Sequence, residues 1–464
     1  MSEDARYQFG PLERRGVLLG WRGGQIATVV VGLALGLLAL RAIRGATGGV
    51  AALLVTSIAF ALAWWPLGGL TVEQWFPTAS RWLWASAVGS VAGARRPLGE
   101  GLRVLDVELD DDRGVGTLGV VHDTRRRTLT AAFFLSAPGF ALLAPLDKER
   151  RVAGWSSVLA ALSRERSVWC RVQWLSVSTP DDARLLSAHF GRRAVLDGSV
   201  PARRSYADLF SQVTGELMRH RVLLCLQVRL AGAGSGRRST GSGLAPGCRM
   251  LRREISHVER ALRDVDVEVR GPLDAASLGR LVREQWAVRA ADATGPVWPA
   301  SGRRRWSSIE VSGTWHAAFW IAEWPRIDVG PEFLAPLLVS SCRRTVSVLM
   351  EPIDPARAMR LAQRARTADA ADAELRRRAG RLGSARRSRE AELATRREEE
   401  LADGHGAYRF SGFLTVTAVS SGELEDACQS TLQQAAQAGL VLRRLNGQQD
   451  LGLLCGLPLG IGLR

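Results

Sequence analysis

Hydrophobic and polar positions are distributed unevenly along this chain. Two uncharged apolar runs, 23–40 and 45–72, are parted only by Arg41-Ala42-Ile43-Arg44, and nothing like them recurs downstream. A helix of about 20 apolar residues crosses the hydrocarbon core of a bilayer, where its backbone amides find no water and must bond to one another. Residues 26–40, extended by Gly23-Gly24-Gln25, and residues 49–65 meet that length. The pattern therefore predicts a two-span transmembrane hairpin over 23–72 behind a cytoplasmic segment, 1–22. Arg6, Arg14, Arg15 and Arg22 precede it, Arg81, Arg95, Arg96 and Arg103 follow it, and only Arg41 and Arg44 lie between. The positive-inside bias then puts both ends in the cytoplasm and the turn outside, with Trp21, Trp64 and Trp65 at one interface. No small-residue cleavage site separates the runs, which argues against a signal peptide; a buried hairpin in a globular core is the other reading.

Beyond the hairpin the periodicity changes. Trp75-Phe76, Trp82-Leu83 and 86–88 recur at helical spacing with Arg81 opposite, so 73–100 is read as an interfacial amphipathic segment or, equally, a third buried helix. A first α+β unit, 101–230, holds strands 103–109, 117–122 and 128–135, a helix 146–163, a strand 168–177, a helix 206–218 and a strand 222–230. The polar Asp123-Thr-Arg-Arg-Arg127 closes a hairpin. Residues 231–247 form a Gly/Ser-rich loop, whose Gly232-Ala-Gly234-Ser-Gly236 lacks the strand-to-helix setting of a phosphate cradle. A second α+β unit, 248–354, holds a helix 250–262, a strand 265–269, and strands 314–323 and 345–351 around a helix at 333–340. Residues 355–403 are a charged helical insertion, with too few apolar positions (Met359, Leu361, Leu375, Leu382, Leu393, Leu401) for a core of its own. It either packs on a partner or is solvated. Strand 410–419, helix 423–437 and strand 440–445, within 404–464, close the body. The expected fold is a membrane α-helical hairpin plus an α+β cytoplasmic body with ferredoxin-like, split βαβ units and a long charged helical hairpin.

Composition changes this picture little. The 464 residues carry a net charge of +16, which suits anionic lipid or nucleic acid without separating them. All but one of the 62 basic residues are Arg, which fits the codon economy of a GC-rich genome and weakens any one Arg cluster as a partner signal. Cys170, Cys225, Cys248, Cys342, Cys428 and Cys455 form no C-x-x-C pair and read as reduced, buried thiols. The six histidines show no ligand spacing, so no metal or cofactor is expected. Lys148 is the sole lysine and follows no glycine run, which excludes a P-loop ATPase. Carboxylate runs Asp110-Asp111-Asp112 and Glu398-Glu399-Glu400 read as solvated surface. No catalytic constellation emerges, and the expectation is a non-enzyme with no catalytic, cofactor or metal residues.

Several segments carry a resemblance. Tyr7-Gln-Phe-Gly-Pro-Leu-Glu-Arg-Arg-Gly-Val-Leu-Leu-Gly-Trp21 with the hairpin is similar to the PrgI-like membrane component of type IV, conjugation-type secretion systems of actinobacteria. The body resembles the amino-terminal, non-motor half of the conjugation ATPase. The resemblance rests on Gly119-Val-Val-His-Asp123, Val152-Ala-Gly-Trp155, Glu323-Trp-Pro325, Arg344-Thr-Val-Ser-Val-Leu-Met-Glu-Pro352, Glu398-Glu-Glu-Leu-Ala-Asp-Gly-His405, Tyr408-Arg-Phe-Ser-Gly412, Ala438-Gly-Leu-Val-Leu-Arg-Arg-Leu445 and Gly447-Gln-Gln-Asp450. It implies a multi-pass plasma-membrane scaffold that meets other secretion components and docks a separately encoded P-loop ATPase. An EccE-type component of type VII secretion has the same two-span architecture. A membrane-attached nucleic-acid or substrate receptor would use Arg303-Arg304-Arg305-Trp306, Arg376-Arg377-Arg378 and Arg386-Arg387.

Overall fold

A computed structural model describes residues 23–43, 45–64, 72–92, 98–111, 114–136, 140–165, 167–181, 205, 208–209, 218–230, 244–288, 296–299, 302–339, 342–378, 392, 395–396 and 398–463. They fall into two compact units, a small one within 11–95 and a large one occupying 96–464.

The small unit consists of helices α1 (Gly23–Ala42), α2 (Ala46–Trp64) and α3 (Val72–Ala92). The first two are long and apolar enough to cross a membrane. Their tight connection uses Gly45 at φ 94°, a conformation natural to a residue without Cβ. Helix α3 touches both. Its stripe Trp75, Thr78 and Trp82 is half-buried, while Phe76 and Trp84 stand 72% and 74% exposed.

The large unit is built on one antiparallel sheet with the order β1-β2-β3-β5-β4-β10-β11-β9-β8-β7, to which β6 adds beside β3 and β12 beside β9. In chain order the elements are β1 (Leu102–Asp111), β2 (Gly114–Asp123), β3 (Thr128–Ser136), α4 (Pro145–Leu162), β4 (Trp169–Pro180), β5 (Met218–Arg229), α5 (Leu244–Arg263), β6 (Glu268–Pro272) and α6 (Ala275–Trp286). There follow β7 (Gly302–Arg304), β8 (Ile309–Val311), β9 (Thr314–Glu323), α7 (Ala335–Leu338), β10 (Arg344–Pro352), α8 (Pro355–Arg378), β11 (Tyr408–Ala418), α9 (Ser421–Gln437), β12 (Val441–Arg444) and α10 (Gln449–Cys455).

Set side by side, these two series are one series repeated. Each has a β-hairpin, then β-α-β-β-α-β, then a helix; the second also carries α8 and the helical residues around 398–402 between its middle strands. The pairing repeats too. The four strands of the first β-α-β-β-α-β run β6-β3-β5-β4 and those of the second β12-β9-β11-β10. Even the split edge recurs: β3 pairs β2 through Thr128–Ala131 and β6 through Phe133–Ser136, while β9 pairs β8 through Thr314–His316 and β12 through Phe319–Glu323. The repeats join where β4 pairs β10, Arg344 opposite Ser178 through Met350 opposite Val172.

Alternation along these strands fills two cores, because successive side chains point to opposite faces. On one face Val172, Leu224 and Val228 pack under Val158 of α4 and Leu251, Ile255 and Val258 of α5, and Phe319, Val346 and Leu414 pack under Leu424 and Cys428 of α9. On the other, Leu175, Val177, Leu223, Leu349 and Phe413 meet Leu278 and Val282 of α6, Leu453 of α10, and Leu457, Leu459 and Ile461.

The turns explain themselves locally. Asp123 Oδ1 accepts the backbone N–H groups of Arg125 and Arg126 at 2.9 and 2.8 Å, closing β2 onto β3. Ser312 and Gly313, both at positive φ, make the two-residue turn between β8 and β9. Asp274 caps α6 by accepting from Ser277 N–H at 2.7 Å.

The structure revises several spans. Residues 244–247 are helical rather than loop, strand β6 runs to Pro272 rather than stopping at 269, and Met218 begins a strand rather than ending a helix. Most of the expected helix 206–218 lies outside the described residues. The pairing carries the first β-α-β-β-α-β unit on to residue 272, past the 101–230 span. It places the closing strand-helix-strand of 404–464 inside the second unit, alongside β9 and β10. Helices α6 and α10 and the β7–β8 hairpin had no counterpart in the sequence reading. A cap at Asp274 followed by Leu278, Leu281 and Val282 was a legible signal for α6.

Candidate functional site

The small unit has an inverted distribution of residue sizes. Gly32 and Gly36 of α1 are buried against α2, and Val30, Val31, Leu33, Leu35, Leu37, Leu38, Leu53, Leu54 and Ile58 are exposed. A Cβ on Gly32 would collide with Ala59, and one on Gly36 would lie 2.7 Å from Thr56 Oγ1 and 3.3 Å from the Ala52 carbonyl oxygen. Small residues at i and i+4 thus let the two backbones approach, as in helix pairs packed within lipid. At the far end of the pair, Gln25 Nε2 donates to the Ala63 carbonyl oxygen at 3.1 Å. Thr28 and Thr56 return their hydroxyls to Gly24 and Ala52 carbonyl oxygens one turn back. Every polar side chain named here is therefore satisfied inside the helix pair, as an apolar surrounding requires.

The large unit has a second feature built from distant segments. After α10 the chain leaves helical form and crosses the sheet face as an irregular strap, 456–463, buried through Gly462. Two glutamines on neighbouring strands, Gln173 of β4 and Gln227 of β5, are 0% and 2% exposed beneath it. Gln173 Nε2 donates to the carbonyl oxygens of Cys455 and Leu457, each at 3.0 Å, and its Oε1 accepts from Gly460 N–H at 2.8 Å. The Leu459 carbonyl oxygen accepts from Thr130 Oγ1 at 3.1 Å and Gln227 Nε2 at 3.3 Å, and that of Gly460 from Arg171 at 3.2 Å. Arg171 is itself held by Glu351 at 2.7 Å. The strap's own backbone bonds are local, such as Leu459 N–H to the Leu457 carbonyl oxygen at 2.8 Å. Its glycines are sites of contact: a Cβ on Gly456 would sit 2.5 Å from Thr415 Oγ1, one on Gly460 2.6 Å from Gln227 Nε2, and one on Gly462 against Leu349.

A third cluster lies at the end of the sheet where β10 begins. Arg344, 1% exposed, donates to Gln434 Oε1 at 2.7 Å, Thr431 Oγ1 at 3.3 Å and the Leu337 carbonyl oxygen. Arg343 donates to the Glu284 carbonyl oxygen at 2.8 Å, and Arg221 pairs with the Glu284 carboxylate at 2.8 Å. Burial lowers both Arg343 and Arg344 from the usual guanidinium range. His316 is fully buried against Thr417 Oγ1 at 2.9 Å, and burial holds its pKa down to about 3, so the ring is neutral. Burial raises the thiols of Cys170 to about 11 and of Cys428 and Cys455 to about 12, and pushes Cys225 higher still; these are unreactive thiols. Among the described residues, no group of three or more His, Cys, Asp or Glu side chains is placed to hold a metal ion.

The residues singled out from the sequence are dispersed. Arg303 faces Glu310 at 3.8 Å, Arg304 pairs with Asp450 at 3.2 Å, and the Arg305 guanidinium lies 4.5 Å over the Trp315 ring. This stretch is thus the β7 edge of a hairpin engaged with its own body. Arg376–Arg378 end α8, and Arg386 and Arg387 lie outside the described residues. Lys148 pairs with Glu332 at 2.6 Å, Glu398 with Arg366 at 2.9 Å and Glu400 with Arg396 at 3.2 Å. Of the segments that carry the family resemblance, 7–21 lies outside the described residues; in two others Gly119 sits against the Asp274–Ala275 backbone, and Gln449 exchanges hydrogen bonds with the Ala318 main chain. The strap and its glutamines were missed because Gln173 and Gln227 read only as polar interruptions in apolar strands. No protein-family model matches the chain, and a search of curated proteins finds no match either.

Proposed function

We propose that this chain is a non-catalytic scaffold of a type IV, conjugation-type secretion apparatus. Helices α1 and α2 anchor it in the plasma membrane with both termini and the large unit in the cytoplasm, and the body docks a P-loop ATPase encoded separately. The observation that carries the membrane part is the inverted hairpin: glycine inside, leucine and valine outside. In water such a surface is an aggregation hazard, whereas in hydrocarbon it is the favourable arrangement. Exposed Phe76, Leu83 and Trp84 on α3 suit the headgroup boundary, with Arg81 as the charged partner of that interface. The body, read as two tandem ferredoxin-like units, supports a scaffold because burial keeps His316 neutral and the thiols of Cys170, Cys225, Cys428 and Cys455 protonated. Engagement of Arg303, Arg304 and Arg305 within the body weighs against the nucleic-acid reading.

Purification of the full chain in mild detergent, followed by identification of co-purifying proteins, tests the docking. A P-loop ATPase is expected in stoichiometric amount, and its absence under conditions that preserve other membrane complexes overturns this part. The anchor is tested separately by alkaline carbonate extraction, in which the chain stays with the membrane pellet.

A further inference from the structure

We infer that the sheet face beneath residues 456–463 is a main-chain-reading peptide site, occupied in this structure by the chain's own strap, which completes one core yet is a displaceable ligand. The inference is independent of the membrane anchor and of the secretion reading.

Three observations carry it. The links from strand to strap are made by side chains, those of Gln173, Gln227, Thr130 and Arg171, and each reaches a carbonyl oxygen or N–H of the strap's backbone. Buried glutamines in the middle of an apolar sheet are costly unless fully engaged, and here both amide ends of Gln173 reach the strap, the nitrogen also meeting Ser347 of β10 and Cys455 at the end of α10. Second, removal of the strap breaks no ladder, since its backbone hydrogen bonds run to 452–454 and within itself. Third, fit is set by the absence of side chains: glycines at 456, 460 and 462 allow the close approach, and Leu457, Leu459 and Ile461 fill the apolar positions between them. The ligand class is thus a glycine-interrupted leucine-type peptide, held by its backbone and selected by where it lacks Cβ atoms.

The strap also crosses the junction between the repeats. It leaves α10 of the second repeat, passes Gln173 beside the β4–β10 pairing, reaches Thr130 and Gln227 of the first at Leu459, and returns to Leu349 of β10 at Gly462. Its seating therefore couples the two repeats, and its release frees a groove that spans both.

The test uses the full chain in detergent with Gly460→Val. Valine at φ 64° is strained, and its Cβ would strike Gln227, so the substitution evicts the strap and leaves the groove residues unchanged. Hydrogen exchange of amides 457–463 is expected to rise about a hundredfold while β4, β5 and β10 keep their protection. A fluorescent synthetic peptide with the sequence of residues 455–463 is expected to bind this variant at about micromolar Kd and the unsubstituted chain at least about tenfold more weakly. Adding Gln173→Leu to the variant, or valine at the 460 position of the peptide, is expected to abolish binding. Three results overturn the inference: strap amides as protected as before, an evicted strap with no peptide binding, or loss of protection in the strands together with the strap.

Discussion

Gln173 Nε2 donates to Ser347 Oγ at 2.9 Å, across the junction where β4 of the first repeat pairs with β10 of the second. The same nitrogen meets the Cys455 and Leu457 carbonyl oxygens, so one buried amide ties two strands and the strap together. Gln173→Leu removes that donor and leaves buried carbonyl oxygens unpaired. A loss of about 2 kcal/mol is expected, on the scale of unmade buried hydrogen bonds, measured as a lower thermal midpoint of the full chain in detergent.

The hairpin seam is sensitive to volume. Gly36→Leu places a branched side chain where Thr56 and Ala52 already stand, and overpacking of this kind costs about 1–3 kcal/mol. With cysteines introduced at Gln25 and Ala63, disulfide formation is expected to slow about tenfold on adding Gly36→Leu, whereas Leu37→Ala, on the exposed face, leaves it unchanged.

Arg344 separates charge from volume. Arg344→Ala leaves a cavity and deprives Gln434, Thr431 and the Leu337 carbonyl oxygen of their donor, with an expected loss of about 3 kcal/mol. Arg344→Met refills most of the volume and removes a buried charge with no carboxylate partner, so its loss is expected to be about half as large. Equal losses in the two variants would contradict this account.

His316 makes stability fall with acid. Its folded pKa, about 3, lies below the ordinary 6.5, so between those values the unfolded chain binds a proton that the folded chain refuses. The contribution is complete above pH 6.5 and declines as pH falls toward 3, with a slope of at most about 1.4 kcal/mol per pH unit. His316→Gln removes it. A variant whose thermal midpoint falls as steeply as the parent's between pH 6 and 4 would show that other groups control the acid limb.

Legibility from sequence followed the range of the interactions. Strand β9 has the bounds expected from its alternation alone, and β3, β10 and β11 differ by a residue or two, because a buried strand announces itself by period and β-branched content. The β7–β8 hairpin escaped because its strands are three residues each and its arginines resemble a basic patch until Glu310, Asp450 and Trp315 are seen beside them. Two α+β units with split βαβ pieces were an expectation drawn from alternation, but the strand-for-strand correspondence between them was not. The two repeats have different helix lengths, 18 residues in α4 against 4 in α7, and α8 stands between β10 and β11 of the second.

The sequence by itself determined the paired apolar helices. Run length, absence of charge and glycines four apart are local properties, and helical hydrogen bonds are satisfied within each segment. Tertiary structure alone decided that β3 divides its edge between β2 and β6, that β4 meets β10, and that Leu457 and Leu459 lie over glutamines 284 and 232 positions earlier. Sheet pairing and strap seating are made by residues far apart in the chain, and a period of two tells which face a side chain takes but not which strand lies beside it.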